Sequence, residues 1–317
     1  LTKQIAFVMD PIESINPKKD TTLALIVSAK DAGWDVYYVE PQFLTLKSNK
    51  LYSKAQKIKT AALSLTDFVS LEEAQDVCLS DFSCIFMRKD PPFDIAYIYS
   101  TYLLEIAERH GVLVVNKPGS IRDCNEKLFA TQFSEHTPEL VVSADMDQLR
   151  LFVRQQENAI LKPLDGMGGA SIFKTSHSDP NLSVILETLT EHGKNVIMGQ
   201  AFIPDISEGD KRILMVNGEP VPYCLARIPK KGETRGNLAA GGTGRVQELS
   251  AADKEIAAAV GPVLKDKAIL FAGLDVIGNK LTEINVTSPT CLREISNHSG
   301  IDVASQVITV IEERIGV

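Results

Sequence analysis

The chain has 317 residues, 44% of them hydrophobic and 6% aromatic, with no low-complexity tract, so it is long enough to bury cores in two or three packed units. Its 41 acidic residues against 33 Lys and Arg leave a formal charge of -8 without a basic stripe, which argues against a surface that holds a nucleic-acid backbone and favours small substrates. No apolar run approaches the roughly 20 residues of a membrane span.

The opening run, residues 5–9, is too short for the core of a signal peptide and precedes no small-residue cleavage site, so a cytoplasmic location is expected. Leu1 in place of an initiator Met is expected to reflect trimming or renumbering. Residues 5–9, 21–32 closed by Gly33, and 36–39 read as strand, helix and strand. Residues 82–87, a helix over 96–109 ended by His110 and Gly111, and the run 112–116 repeat the alternation, which predicts a parallel sheet with helices on its faces. Residues 117–120 mark a boundary, and a helix is expected over 125–133 before the turn at Thr137 and Pro138. A smaller α+β unit then runs to about Met198. Hairpins follow from Lys211, with strands over 212–216 and 221–228 about a turn at Asn217 and Gly218. Residues 229–245 hold five glycines and little apolar periodicity, and are expected to form a long mobile loop. The five cysteines, Cys78, Cys84, Cys124, Cys224 and Cys291, form no C-x-x-C pair and read as reduced thiols, most of them packing groups.

Two segments carry chemistry. Residues 273–289 contain two alternating apolar runs about Gly278 and Asn279, so a hairpin would bring Asp275 opposite or within one residue of Glu283, with Asn285 on the same face. Asp275, Glu283 and Asn285 offer only hard oxygen ligands, which suits Mg²⁺ or Mn²⁺ better than zinc. Such residues are otherwise ordinary solvated turn groups, but Glu283 sits in an apolar stretch where a carboxylate needs a partner. Residues 159–173 read as strand, glycine loop and strand. They are not a P-loop, since Lys162 precedes the glycines and no G-K-[ST] follows, and they lack the dinucleotide spacing. Backbone N–H groups at Gly166, Gly168 and Gly169 can approach phosphate oxygens, and Lys162 at the end of an apolar strand needs an anion.

Four blocks, MRKDPPFD at 87–94, LKPLDGMGG at 161–169, GETRGNLAAGG at 232–242 and TEINVTSPTC at 282–291, together resemble the bacterial type of glutathione synthetase, of the ATP-grasp ligases, over essentially the whole chain. The resemblance implies an α/β and α+β fold, with an N-terminal parallel-sheet (pre-ATP-grasp) domain over 1–124 and a two-part ATP-grasp fold. The latter comprises a small subdomain over 125–199 and a C-terminal one over 200–317 that carries the mobile loop. It implies ATP between the halves, with Lys127 and Lys162 on its phosphates and Gly166, Gly168 and Gly169 closing over them. Gln200 and Ile203 would meet adenine, and Asp210 the ribose side. Asp275, Glu283 and Asn285 would bind Mg²⁺ or Mn²⁺, two ions per site. Arg88, Arg212, Arg235, Asn237, Ser288 and Arg293 would surround the substrates, with Arg212, Arg235 and Lys162 in catalytic roles. Thr243 stands where relatives often carry a basic residue.

The reaction implied is ligation of γ-glutamylcysteine and glycine through an acyl phosphate, releasing ADP and phosphate, in a cytoplasmic homotetramer with no nucleic-acid or membrane partner. Another ATP-grasp carboxylate–amine ligase, or a non-catalytic ATP-binding protein of this fold, is the alternative. Presence of all three metal ligands and of the loop weighs against the second.

Overall fold

The computed structural model describes residues 3–316 except Met167, Lys231, residues 234–235 and residues 237–240. Strand Gln4–Val8, buried from Ile5 onward, lies between parallel strands Asp35–Val39 and Cys84–Met87, and Leu113–Val115 continues the parallel set. Helix Thr21–Asp31 starts where Asp20 accepts the Leu23 N–H and ends at Gly33, whose φ of 81° suits glycine. Asp94 caps helix Ile95–Arg109 in the same way through the Tyr97 N–H. The sheet is mixed rather than wholly parallel. Lys50–Ala61 pairs antiparallel with Asp35–Val39 and carries three short antiparallel strands, Thr45–Lys47, Val69–Leu71 and Gln75–Cys78. Its inward positions include Ser53 beside Leu51 and Ala55, so the alternation that marks a half-buried strand is faint in the sequence.

The helix expected over 125–133 is absent. A short helix occupies Pro118–Asp123 instead, and only a 3₁₀ turn, Phe129–Gln132, follows. Pro118 favours a helix start, whereas the Asn125 side chain accepts the N–H groups of Lys127 and Leu128 and so offers that backbone an alternative to helix.

A second sheet is antiparallel, in the order Phe173–Thr175, Ala159–Pro163, Ile197–Ala201, Leu140–Ser143, under helices Met146–Gln155 and Leu182–Thr190. Leu149, Val153, Leu161 and Leu186 fill the space between. A third antiparallel sheet runs Thr243–Glu248, Glu219–Ile228, Asp210–Val216, Phe271–Ile277, Lys280–Asn285, backed by helix Ala251–Asp266. Residues 243–245, expected within the mobile loop, thus belong to a strand: Thr243 pairs with Ile228 and Arg245 with Ala226.

Helices Leu292–Ser299 and Val303–Ile315 return to the first sheet, where Leu292 and Val307 share one core with Phe7, Leu25 and Phe271. The buried Asn116 joins the sheets further. Its carboxamide donates to Phe271 O and Val286 O, both at 2.7 Å, and accepts from the Leu270 and Phe271 N–H groups. Every bonding position of that buried carboxamide is satisfied, which fixes the junction where the sheets meet. Among the described residues no helix is long and apolar enough to cross a membrane.

Candidate active site

All three sheets contribute to one cleft of about 480 Å³. Arg88 comes from the first, Lys162 and Gln200 from the second, and Asp275, Glu283 and Asn285 from the third. The hairpin register sets Asp275 directly across from Glu283, and Gly273 across from Asn285. The Asp275 Oδ1 accepts from Arg212 Nε at 2.6 Å, and its Oδ2 lies 3.1 Å from Arg212 Nη2 and 3.0 Å from Arg227 Nη2. Asn285 Nδ2 completes the set at 3.3 Å. Burial would raise the Asp275 carboxyl, but the two guanidinium groups hold it well below the usual carboxylate range.

Glu283 stands at the other side of this strip. Its Oε1 is 3.4 Å from Lys162 Nζ and 3.7 Å from Lys127 Nζ. Against the effect of burial, these ammonium groups lower its pKa. Lys162 has found the anion its position demanded. Lys127, only 2% exposed, also donates to Glu126 Oε1 at 2.8 Å and to Gly166 O at 2.9 Å, which ties the glycine loop to the carboxylates. Although burial opposes its charge, Glu283 and Glu126 raise its pKa. In the loop a Cβ at Gly166 would meet Pro163 Cγ at 2.9 Å, and Gly168 has a φ of 65°. Both features favour glycine, and both residues line the cleft with Gly169.

Gln200, Ile203, Asp210, Arg212 and Ser288 line the same cleft. Asp210 Oδ2 bonds Arg227 Nη2 at 2.5 Å, while its Oδ1 is buried without a partner among the described residues. Its carboxyl is pushed up to about 6 by burial and by Asp275 and Glu283, against the pull of Arg227. Arg293 is not brought to the cleft. It lines a separate cavity between the helices Thr21–Asp31 and Val303–Ile315, and its Nη1 donates to Pro17 O. Successive residues of a helix point about 100° apart, so Glu294, not Arg293, faces the cleft. Arg235 and Asn237 fall outside the described residues.

Sequence reasoning missed Arg227, Glu126 and Glu294. Arg227 carried a usable signal, since a charge near the end of the apolar run 221–228 raises the same demand for a partner as Lys162 does. The expectation for the cysteines holds: all five are free, and Cys84, Cys124, Cys224 and Cys291 are buried. Burial raises the pKa of each of those four thiols.

The residues fit a divalent cation. Two carboxylates and the Asn285 carboxamide supply hard oxygens, and no hydrogen bond engages Asn285 Oδ1 among the described residues. Among those residues no group of three or more His, Cys, Asp or Glu gathers as a metal cage. The ion would therefore take its remaining ligands from outside the protein, as Mg²⁺ does when it binds phosphate. The buried ammonium groups beside a glycine loop fit a polyphosphate.

This fold and site define an ATP-grasp ligase. Across 98% of the chain the structure resembles the D-cycloserine synthetase DcsG, with a TM-score of 0.69 and 12% identity, covering 99% of that chain. The ATP-grasp ligase PsnB, solved with a minimal precursor, Mg and ADP, is similar across 99% of this chain and 98% of its own, with a TM-score of 0.63 and 13% identity. Residues 4–122 match the N-terminal domain of prokaryotic glutathione synthetase, and residues 126–300 match its ATP-grasp domain. A glutathione synthetase of Pseudomonas syringae pv. tomato is 55% identical over 315 residues, 99% of this chain and 98% of that protein. One from Shewanella oneidensis is 53% identical over 99% of each chain. The chain belongs to the prokaryotic glutathione synthetase family.

Proposed function

We propose that the cleft phosphorylates the cysteinyl carboxylate of γ-glutamylcysteine with ATP and passes the resulting acyl phosphate to the amine of glycine. Family membership makes the chain an ATP-dependent ligase of glutathione synthesis, and the Mg and ADP in the PsnB complex support Mg²⁺ as the ion used with ATP. The observation that carries the residue-level reading is the strip from Lys127 and Lys162 through Glu283 to Asp275, Arg212 and Arg227, in which two neighbouring carboxylates lie between two pairs of cations beside a glycine loop.

A carboxylate is a poor electrophile, so its oxygen must first take the γ-phosphoryl group. Glycine nitrogen then forms the C–N bond through a tetrahedral intermediate, and phosphate departs with the carboxylate oxygen it gained. Lys127 and Lys162 neutralise phosphate charge, and the glycine loop supplies N–H donors. Arg212 and Arg227 keep Asp275 ionised and oriented. A divalent ion held by Asp275, Glu283 and Asn285 would supply electrostatic stabilisation of the transferring phosphate. Gln200 and Ile203 take the adenine side, Asp210 the ribose, and Arg88 and Ser288 the peptide. Arg235 and Asn237 are assigned to the substrate side on the family motif alone. Residues 229–242 shield the acyl phosphate from water.

The division at 124 is supported by the change of sheet, since the three sheets occupy 4–115, 140–201 and 210–285; the second change falls between 201 and 210, because strand Ile197–Ala201 runs past 199. Two ions per site, acceptance of Mn²⁺, a cytoplasmic location and a homotetramer rest on the resemblance. Purified protein should form the tripeptide only when γ-glutamylcysteine, glycine, ATP and a divalent ion are all present. Tripeptide-free turnover of ATP with all four supplied would contradict the reading.

A further inference from the structure

Helix Leu292–Ser299 sends consecutive residues to different spaces: Glu294 lines the cleft, and Arg293 lines the second cavity, of about 380 Å³. Helix Thr21–Asp31 divides in the same way, with Thr21 and Thr22 on the cleft and Val27 and Ser28 on the cavity. Buried Ala24, Leu292, Ala304 and Ile308 give the cavity an apolar depth, and exposed Asp31, Asn297 and Thr309 mark its mouth. Arg293 is only 9% exposed, yet it is partly unsatisfied. Its Nη1 donates to Pro17 O, while Nε is buried without a partner and no hydrogen bond engages Nη2 among the described residues. Nε and Nη2 form one edge of a guanidinium, the edge through which Arg212 grips the Asp275 carboxylate at 2.6 and 3.1 Å. On Arg293 that edge is free. Glu294 feels the charge of Arg293, but its Oε2 is itself unbonded, so this neighbour does not fill the edge. A buried guanidinium N–H left unpaired is unfavourable, and a fold that keeps one at a cavity is matched to an acceptor from outside the chain.

We infer that this cavity is a second small-molecule site, separate from the ATP cleft, and that it binds a monocarboxylate with an apolar body whose two oxygens take Arg293 Nε and Nη2. A carboxylate accepts from both donors at once, whereas an amide offers a single oxygen. The body would lie against Leu292, Ala304 and Ile308. The remaining charged residues of the lining, Asp31, Asp302 and Glu312, are all acidic, and they limit the ligand to one negative charge. Asp302 Oδ1 accepts the Ser305 N–H at 2.9 Å, Glu312 Oε1 pairs with Lys3 Nζ at 2.7 Å, and Asp31 is exposed to water, so none of the three competes for Arg293. A phosphate or a dicarboxylate would bring further negative charge against them, which disfavours both.

The test titrates the protein, with ADP and Mg²⁺ present, with butanoate, hexanoate and benzoate and with the corresponding amides, by isothermal titration calorimetry near pH 7. At least one acid should saturate a single site per chain, and its amide should bind about tenfold more weakly or worse, since hydrogen bonds to a charged group are the stronger ones. Arg293→Met should weaken binding of that acid by about tenfold or more and remove its advantage over the amide. Ser28→Leu keeps Arg293 and fills the cavity from helix Thr21–Asp31, so it should abolish binding of acid and amide alike. A parent that shows no saturable binding of any of the three acids overturns the inference. So does equal affinity for acid and amide, a result that needs no variant. Binding that survives either substitution unchanged overturns it as well, and would place the carboxylate on another surface such as the cleft.

Discussion

Asp275 is held by two arginines, and its pairing has a pH signature. In an unfolded chain it ionises near 4, and Arg212 and Arg227 hold the folded value lower. The stability this supplies is present above about pH 4 and is lost as pH falls through the folded value. Asp275→Asn leaves Arg212 buried without its anion and Arg227 with Asp210 alone, so it should lower stability by about 3–5 kcal/mol near pH 7. Urea unfolding of the metal-free protein should show that gap narrowing below about pH 4, and a gap constant with pH would remove Asp275 from this role. Glu283→Gln should keep the fold and slow turnover by about 10² to 10⁴, or about 3–5 kcal/mol of barrier. Near-normal turnover at saturating Mg²⁺ would exclude Glu283 from ion binding. Lys162→Met should raise KM for ATP and lower kcat together, because the same cation serves ground and transition states. Lys162 and Glu283 were legible in the sequence because each is a charge set in an apolar run. The division of labour between Arg293 and Glu294 was not, since it depends on helix phase and on which neighbour each face meets.

At the scale of elements, the glycine-rich segment ends at Gly242, because Thr243–Glu248 is paired into the third sheet. A variant that replaces 229–242 by a short Gly linker leaves that strand intact and should uncouple the reaction. Phosphate released per tripeptide should rise from about one to well above it, with added glycine restoring the ratio only in part. An unchanged ratio would assign the segment to substrate binding or to no role, and not to shielding. Elsewhere, helix Ala251–Asp266 meets the turn at Gly218 through Gly261, where an added Cβ would strike the Gly218 carbonyl. Gly261→Ala should destabilise by about 1–3 kcal/mol and leave KM values unchanged, as calorimetry and kinetics would show together. Strand and helix periods located most of these elements. The 273–285 hairpin was plain because Gly278 and Asn279 sit between two apolar runs. Lys50–Ala61 was hidden because the polar Ser53 sits among its inward positions and blurs the alternation, and the helix expected over 125–133 failed because the Asn125 side chain competes locally for backbone N–H groups.

The whole molecule places its chemistry where three sheets meet, and Asn116 with the returning C-terminal helices fixes that junction. No local pattern in the sequence reveals that residues 21–22, 88, 162, 275 and 294 converge, because their contacts span from about 60 to more than 270 residues. Resemblance across four motif blocks supplied that long-range information. The central claim is that the peptide carboxylate is activated by phosphorylation within this junction. It is tested most directly by supplying γ-glutamylcysteine whose cysteinyl carboxylate carries a heavy oxygen isotope and analysing the released phosphate by mass spectrometry. Activation through an acyl phosphate predicts one labelled oxygen in each phosphate released with tripeptide, and unlabelled phosphate would contradict it.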